Sequence, residues 1–150
     1  MTNYLSTTVD KFTFKVATDR QYTGEGLWVM REGDTVRIGV SDYLQQRNGD
    51  VAFAEVKPAG TTLSAGDEMA TLETIKVNLS LTSPVNGAVL AANAALDASP
   101  ELINTGSYGA GWLAVIAVTD WESAQAKLLS AENYFAQMKE QAEQDVKNHD

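Results

Sequence analysis

The sequence predicts a mainly β domain of the α+β class, with a helical appendage at its C-terminal end. Three observations support this fold class. Short runs of alternating polar and apolar residues recur along residues 1–119, and such alternation is typical of half-buried strands. Turn-forming residues separate these runs. After Asp120 the apolar residues instead fall near helical spacing.

The first part of the chain is predicted to contain four strands and one short helix. The strands cover residues 11–16, 27–30, 35–40 and 51–56, and the second and third form a hairpin. Ser41 or Asp42 is expected to cap a helix over residues 43–47 that Asn48-Gly49 closes. In the last strand Val51 and Phe53, with Glu55, are expected to share one face, because alternate side chains of a strand point the same way.

The middle of the chain is predicted to continue as short strands separated by turns. These strands cover residues 68–75, 77–81, 88–92 and 112–118, and single helical turns are expected at residues 93–96 and 99–103. Asn86-Gly87 is the strongest short hairpin signal in the chain. The glycine-rich residues 106–111 lack the Gly-Lys-Ser/Thr end of a phosphate-binding loop. A tight turn is therefore predicted there.

The last residues are predicted to be helical. Asp120 is a candidate N-cap, and a further helix is expected to start at Ser130 and to carry Tyr134, Phe135 and Met138. We therefore divide the chain into a body, residues 1–119, and a C-terminal helical appendage of the same domain with a polar tail, residues 120–150.

Composition argues against several kinds of function. The chain has 11 basic and 20 acidic residues, a net charge of −9, unlike the basic surfaces that bind nucleic acids or membranes. It has no cysteine, so it has no thiolate nucleophile and no cysteine metal site. Its single histidine, His149, lies in the polar tail and is a poor candidate for a base or a ligand. We expect no catalytic site and no metal site, so redox or acyl chemistry would need a cofactor.

The N-terminal residues carry no targeting signal that we recognise. Residues 1–10 have neither a basic stretch nor an apolar run, both of which a secretory signal needs. No segment approaches the roughly 20 apolar residues of a transmembrane helix. We therefore expect a cytoplasmic protein with no membrane partner.

Lys76 is distinguished by its position. It is the only basic residue between Lys57 and Lys127, and it lies between two predicted strands. A lysine at the tip of a hairpin holds a long, flexible stem away from the body of the domain, which suits the attachment of a tethered group. Spacing alone nevertheless favours an ordinary solvated turn lysine.

The residues around Lys76 strengthen the attachment hypothesis. Glu73, Thr74 and Lys76 match the pattern Glu-Ser/Thr-x-Lys. Seven segments match the motifs of one family in order: residues 38–43, 49–53, 60–76, 83–89, 93–96, 100–104 and 108–113. On these residues the chain, from about Gln21 to Leu129, resembles the glycine cleavage system H protein family.

The resemblance implies a barrel-sandwich hybrid of short antiparallel strands, with a lipoyl-lysine hairpin and C-terminal helices. It implies a carrier without catalysis of its own, in which lipoate is amide-linked to Lys76 and Glu73 and Thr74 form the recognition motif. The amide would remove the lysine charge, and the dithiolane would open by thiol–disulfide or acyl-type exchange at the active sites of partner enzymes. Lipoate ligase or lipoyl synthase would be partners, and we expect a monomer.

Two departures from the family pattern bear on the cargo. Gly26-Leu27-Trp28 stands where the family has His-Glu-Trp, and Ser80 and Thr82 stand where it has an acidic residue and a tyrosine. The resemblance implies that an H protein shelters a charged aminomethyl group on its loaded arm. Loss of a carboxylate and a histidine near the arm therefore favours another cargo.

Three functions stay open on the sequence. The favoured one is a carrier of sulfur intermediates, as in the H-like lipoate-binding proteins of sulfur-oxidising prokaryotes, with a heterodisulfide-reductase-like complex as partner. The second is the H protein of the glycine cleavage system, which passes the aminomethyl group between glycine cleavage enzymes. The third, of another class, is an unlipoylated interaction domain. Biotin is a weaker alternative, because biotin carriers usually place methionines beside the lysine, whereas Lys76 is flanked by Ile75 and Val77.

Overall fold

The computed structural model describes residues 2–149, and within this range it contains eleven strands and five helices. The strands are β1 (Tyr4–Val9), β2 (Phe12–Ala17), β3 (Gln21–Tyr22), β4 (Leu27–Glu32), β5 (Thr35–Val40), β6 (Val51–Val56), β7 (Thr62–Leu63), β8 (Glu68–Thr74), β9 (Asn78–Thr82), β10 (Asn86–Ala92) and β11 (Ala114–Thr119). The helices are α1 (Asp42–Asn48), α2 (Ala95–Ala98), α3 (Leu102–Thr105), α4 (Trp121–Gln125) and α5 (Ala131–His149).

The strands form three antiparallel sheets. β1 and β2 pair as a hairpin, six strands pair in the order β3-β4-β5-β11-β10-β7, and three pair in the order β6-β8-β9. Within residues 2–149 none of these sheets closes into a barrel. The prediction of a mainly β fold with C-terminal helices is confirmed, and the strands predicted at residues 35–40 and 51–56 have those bounds.

Two hydrophobic clusters hold the sheets and helices together. The larger cluster joins the six-stranded sheet to the three-stranded sheet, with Ile38 and Ile116 from the first and Met69 and Leu72 from the second. The smaller cluster packs the β1–β2 hairpin and α5 against one another and against Trp28 of β4. Burial of this much apolar surface is the main stabilising contribution to such a fold.

Helix α5 is fixed by its buried face. Tyr134, Met138 and Ala142 are buried, and their spacing of four residues places them on one side of the helix. The helix is predicted to start at Ser130 and begins at Ala131. The Ser130 hydroxyl accepts a hydrogen bond from the Asn133 amide at 3.1 Å and so caps the N-terminus. The polar tail is therefore helical as far as His149. Among the described residues no helix is both long and apolar enough to cross a membrane.

Two local predictions are wrong, and one strand is missed by the sequence. In β6, Val51 and Ala54 are buried whereas Phe53 is exposed, because the pairing register with β8 shifts between Val51 and Phe53 and a bulge reverses the alternation. Asp120 precedes α4, but its side chain makes no capping hydrogen bond. The strand β1 was not predicted, because its half-buried face includes threonine instead of a continuous apolar set.

The predicted hairpin turn at Asn86-Gly87 is also wrong, because both residues lie inside β10. Gly87 is required by a close strand contact: a Cβ placed on it would lie 2.1 Å from the carbonyl oxygen of Ala117 in β11. The Asn86 side chain accepts a hydrogen bond from the Ala65 amide at 2.7 Å. The two residues therefore contact neighbouring segments: Gly87 lies against β11 and Asn86 binds the backbone at Ala65.

Candidate functional site

Lys76 lies in the turn between β8 and β9, where the sequence predicts it. Strand β8 ends at Thr74, β9 begins at Asn78, and Glu73 pairs with Asn78 across the hairpin. Lys76 is exposed, and among residues 2–149 it takes part in no ion pair. Its ammonium group is therefore accessible to a modifying enzyme and is not committed to a carboxylate of the described chain.

The Thr74 hydroxyl closes this turn. It accepts hydrogen bonds from the amides of Lys76 at 3.2 Å and Val77 at 3.0 Å, and it donates to the Val77 carbonyl at 3.1 Å. The Thr74 amide also donates to the Val77 carbonyl, at 2.9 Å. A threonine hydroxyl that binds the backbone two and three residues ahead stabilises a turn. Thr74 therefore fixes the backbone that carries Lys76.

Exposed apolar side chains lie on and beside the turn that carries Lys76. Ile75 is 75% exposed, Val77 is 42% exposed, and Phe53 of the neighbouring strand β6 is 50% exposed. Glu73 is also exposed and lies opposite Phe53 in the sheet. Exposed apolar groups that lie together mark a surface where partners dock, so the lysine is surrounded by a candidate contact surface.

The turn rests on the junction between α1 and β6. The Ile75 amide donates to the Asp50 carbonyl at 3.3 Å. Gly49 ends α1 with a φ of +85°, a left-handed conformation that favours glycine. A Cβ placed on Gly49 would lie 3.5 Å from Ile75 Cγ1 and 3.7 Å from Lys76 Cε. The stem of the lysine therefore runs past this junction.

The side chain of Asn104 is hydrogen-bonded to the same junction between α1 and β6. Its side-chain amide donates to the Gly49 carbonyl at 3.1 Å and to Gln45 Oε1 at 3.0 Å, and its side-chain oxygen accepts from the Val51 amide at 2.9 Å. All the polar atoms of one asparagine side chain are thus used on a junction more than fifty residues away along the chain. Sequence reasoning placed Asn104 in a matching segment, but nothing in the sequence indicated this role.

Replacing Thr74 with valine tests the turn. Valine has nearly the same shape but no hydroxyl, so the amides of Lys76 and Val77 lose their acceptor. On the expectation that Lys76 is lipoylated, a lipoate ligase should modify the valine variant about fivefold more slowly, the effect of losing roughly 1 kcal/mol of net hydrogen bonding, with the fold intact. The measurement is the rate of mass gain in purified protein. Thr74→Ser keeps the hydroxyl and should keep the rate; equal rates for valine and wild type would contradict the assigned role.

Three of the unusual sequence positions line one cavity. Leu27, Ser80 and Thr82 lie in the wall of a cavity of about 460 Å³, which we call the β9 cavity, between the loop before β4, strand β9 and the end of α4. Two charged residues, Glu25 and Lys127, also line it. Neither was singled out from the sequence, because they are about a hundred residues apart along the chain.

Gly26, in contrast, faces the protein interior. A Cβ placed on it would lie 3.3 Å from each of Leu44 Cβ, Ser41 Oγ and Tyr134 Oη, and its φ is +102°. Ser41 Oγ and Tyr134 Oη are hydrogen-bonded at 2.8 Å and buried. A histidine at this position would have to displace that buried pair. Packing therefore explains the glycine at position 26. The absence of the family histidine there does not favour one cargo over another.

Comparison with known proteins identifies relatives for most of the chain. The family model for the glycine cleavage H-protein matches residues 20–141. A glycine cleavage system H protein of Mycobacterium avium strain 104 is 44% identical over 120 residues, which are 77% of this chain and 91% of that protein. One from Mycobacterium leprae strain TN is 42% identical over 123 residues, 79% of this chain and 93% of that protein.

A solved structure is similar in fold as well as in sequence. The crystal structure of a glycine cleavage system H protein from Mycobacterium marinum aligns with a TM-score of 0.69 and 32% sequence identity. The alignment covers 80% of this chain and 96% of that chain. The fold of the aligned part of the chain is thus that of a known H protein, a barrel-sandwich hybrid.

Proposed function

The chain belongs to the glycine cleavage H-protein family, and from that premise we propose that it carries lipoate amide-linked to Lys76 and shuttles an aminomethyl group between glycine cleavage enzymes. The observation that carries this proposal is the exposed Lys76 in a turn closed by Thr74. These residues fit a lipoyl group, because the ammonium is accessible and the backbone beneath it is fixed. When bound, the group would supply a dithiol that partner enzymes load and unload.

The residues around the lysine have separate roles in this proposal. Thr74 presents Lys76 to the lipoate ligase or lipoyl synthase, and Glu73 is an exposed recognition contact beside it. Phe53, Ile75 and Val77 supply apolar contact area for partner enzymes. The net charge of −9 favours encounter with basic partner surfaces. The chain itself acts as a carrier that serves enzymes.

A carrier of sulfur intermediates, the function favoured by the sequence, is the second candidate, with a heterodisulfide-reductase-like complex as its partner. The observation in its favour is that Leu27, Ser80 and Thr82 line one cavity together with the cation Lys127. This wall stabilises the ammonium of an aminomethyl group less than a wall with additional carboxylates would. The names of the relatives favour glycine cleavage, and Glu25 keeps one carboxylate in the same wall, so we place the glycine function first.

Glycine-dependent loading separates the two cargoes. We expect the lipoylated protein to gain an aminomethyl group when it is incubated with glycine and a glycine decarboxylase, as measured by intact mass. Glu25→Gln should slow this loading by about threefold, the size expected for an exposed ion pair, and should leave lipoylation unchanged. Glu122→Gln, on α4 and outside the cavity wall, is the matched control.

The outcomes are distinct. Loading that needs both glycine and the lipoyl group would support the glycine function and exclude a carrier restricted to sulfur. A lipoylated protein that never gains the group would contradict the proposal and favour the sulfur carrier. Equal loading of Glu25→Gln and Glu122→Gln would remove Glu25 from the cargo site without affecting the assignment of Lys76.

A further inference from the structure

A second cavity, which we call the hairpin cavity, has Lys76 in its own wall. Its volume is about 570 Å³, within the range of roughly 300–1,000 Å³ that is typical of small-molecule pockets. The β1–β2 hairpin contributes Val9 and Phe12, α1 contributes Tyr43, and the last turns of α5 contribute Val146. The β9 cavity shares none of these residues.

Most of this wall lies outside the part of the chain shared with the family. The family match covers residues 20–141, so the whole β1–β2 hairpin precedes it and the α5 residues from Ala142 onward follow it. The aligned region spans 91% of the Mycobacterium avium protein but 77% of this chain. The hairpin and the end of α5 are therefore additions to the shared domain, and they meet beside the modified lysine.

The stem of Lys76 already lies along this cavity. Its Cε and Cδ would lie 3.7 and 3.8 Å from a Cβ on Gly49, at the end of α1, and Gln46 and Arg47 of α1 line the same cavity. A group joined to the lysine nitrogen by an amide therefore starts at the cavity wall. The lipoyl arm can therefore reach the hairpin cavity without movement of the β8–β9 backbone.

The chemistry of the wall suits an uncharged, largely apolar arm. Among the acidic groups of the wall, Asp145 is neutralised locally: it pairs with Arg47 at 3.4 Å and accepts a hydrogen bond from the Tyr43 hydroxyl. Burial and this hydrogen bond raise the pKa of Tyr43, so the hydroxyl keeps its proton. Asp10 is exposed and lies beside the apolar Phe12 and Val9.

We propose that the hairpin cavity is a docking site for the oxidised lipoyl group on Lys76, built by the added N-terminal hairpin and the added end of α5. The inference rests on the proposed lipoylation of Lys76. Amide formation removes the lysine charge and leaves a saturated carbon chain that ends in a disulfide ring. Docking of this group against Val9, Phe12 and Val146 shields the dithiolane from solvent while no partner is bound.

A single introduced cysteine reports the position of the arm, because the chain has no cysteine of its own. In lipoylated Phe12→Cys, the new thiolate attacks one dithiolane sulfur, the ring disulfide breaks and a mixed disulfide forms; added iodoacetamide then alkylates the released lipoyl thiolate, with iodide as the leaving group. We expect this cross-link in most molecules, as measured by peptide mass mapping. The matched control is Leu90→Cys, since Leu90 is 52% exposed and Phe12 is 50% exposed; its yield should be about tenfold lower.

Reduction of the dithiolane provides a second measurement. We expect a soluble phosphine to reduce the lipoyl group of the wild-type protein about tenfold more slowly than that of Phe12→Ser, the population ratio expected when about two methylene groups leave water. Leu90→Ser should reduce at the wild-type rate. Thermal unfolding of both variants shows whether the fold is kept, and the cysteine experiment does not depend on the serine variant.

The outcomes separate this inference from the function on which it rests. If intact mass finds no lipoyl group on Lys76, both the proposed function and the docking site are wrong. If the protein is lipoylated but the two cysteine variants cross-link equally and the reduction rates do not differ, the docking site alone is wrong. Cross-linking specific to Phe12→Cys together with slow reduction of the wild type supports it.

Discussion

Substitution of Lys76 by arginine is expected to abolish lipoylation completely. A ligase needs an amine that can lose its proton and attack an activated acyl group. The lysine amine can do this, whereas a guanidinium stays protonated at any pH a protein experiences. Arginine keeps the charge and much of the length of the exposed side chain, so the fold and the β8–β9 turn should be unchanged. Intact mass after coexpression with a lipoate ligase measures the effect.

Lys57→Arg is the matched control for this substitution. Lys57 is a partly exposed lysine near the three-stranded sheet, and its Nζ lies 3.9 Å from Glu68 Oε1 of β8. The Lys57→Arg variant should be lipoylated like the wild type. A lipoyl mass that persists in Lys76→Arg would overturn the site assignment. Absence of the mass from the wild-type protein would instead favour the unlipoylated interaction domain.

Gly87→Ala is expected to have the largest effect on stability. The new Cβ would lie 2.1 Å from the Ala117 carbonyl oxygen and 2.9 Å from its carbonyl carbon. These atoms belong to the backbone of β11, which is paired on both sides in the six-stranded sheet and cannot move without breaking hydrogen bonds. We expect a loss of about 3 kcal/mol or more, out of roughly 5–15 kcal/mol for a typical domain.

Chemical denaturation of Gly87→Ala and of the control Gly60→Ala measures this loss. Gly60 also has a positive φ, +94°, but a Cβ there would meet nothing within 4 Å. The control therefore carries the backbone strain, about 1 kcal/mol, without the collision. Equal losses in the two variants would mean that strain, and not the contact with β11, explains why glycine occupies position 87.

The sequence predicts those elements whose signals are local. Strand β5 and helix α1 follow from alternation and from the Ser41 cap, whose hydroxyl accepts the Leu44 amide at 3.2 Å. The turn at Lys76 is likewise enclosed by a few consecutive residues. The Asn86-Gly87 signal is also local, but the packing of β10 against β11 decides its outcome, and that packing depends on residues thirty positions later.

The parts of the site that the sequence does not predict are assembled from distant segments. The β9 cavity brings Glu25 together with Lys127, and the hairpin cavity brings Val9 together with Val146. No window of sequence contains either pair. The bulge in β6 is a further case, because the register shift that exposes Phe53 is a property of its pairing with β8.

The hydrogen bonds of Thr74 and Asn104 have a consequence for the timing of transfer. Thr74 closes the turn, and Asn104 holds the junction that supports it, so the backbone at Lys76 is restrained. A group attached to Lys76 then moves by rotations about the side-chain bonds, which take picoseconds to nanoseconds. Loop motions, which take nanoseconds to microseconds, contribute little to its movement. Once the group leaves the hairpin cavity, it therefore samples its accessible volume faster than a loop moves, and the backbone at Lys76 adds no slow step to transfer.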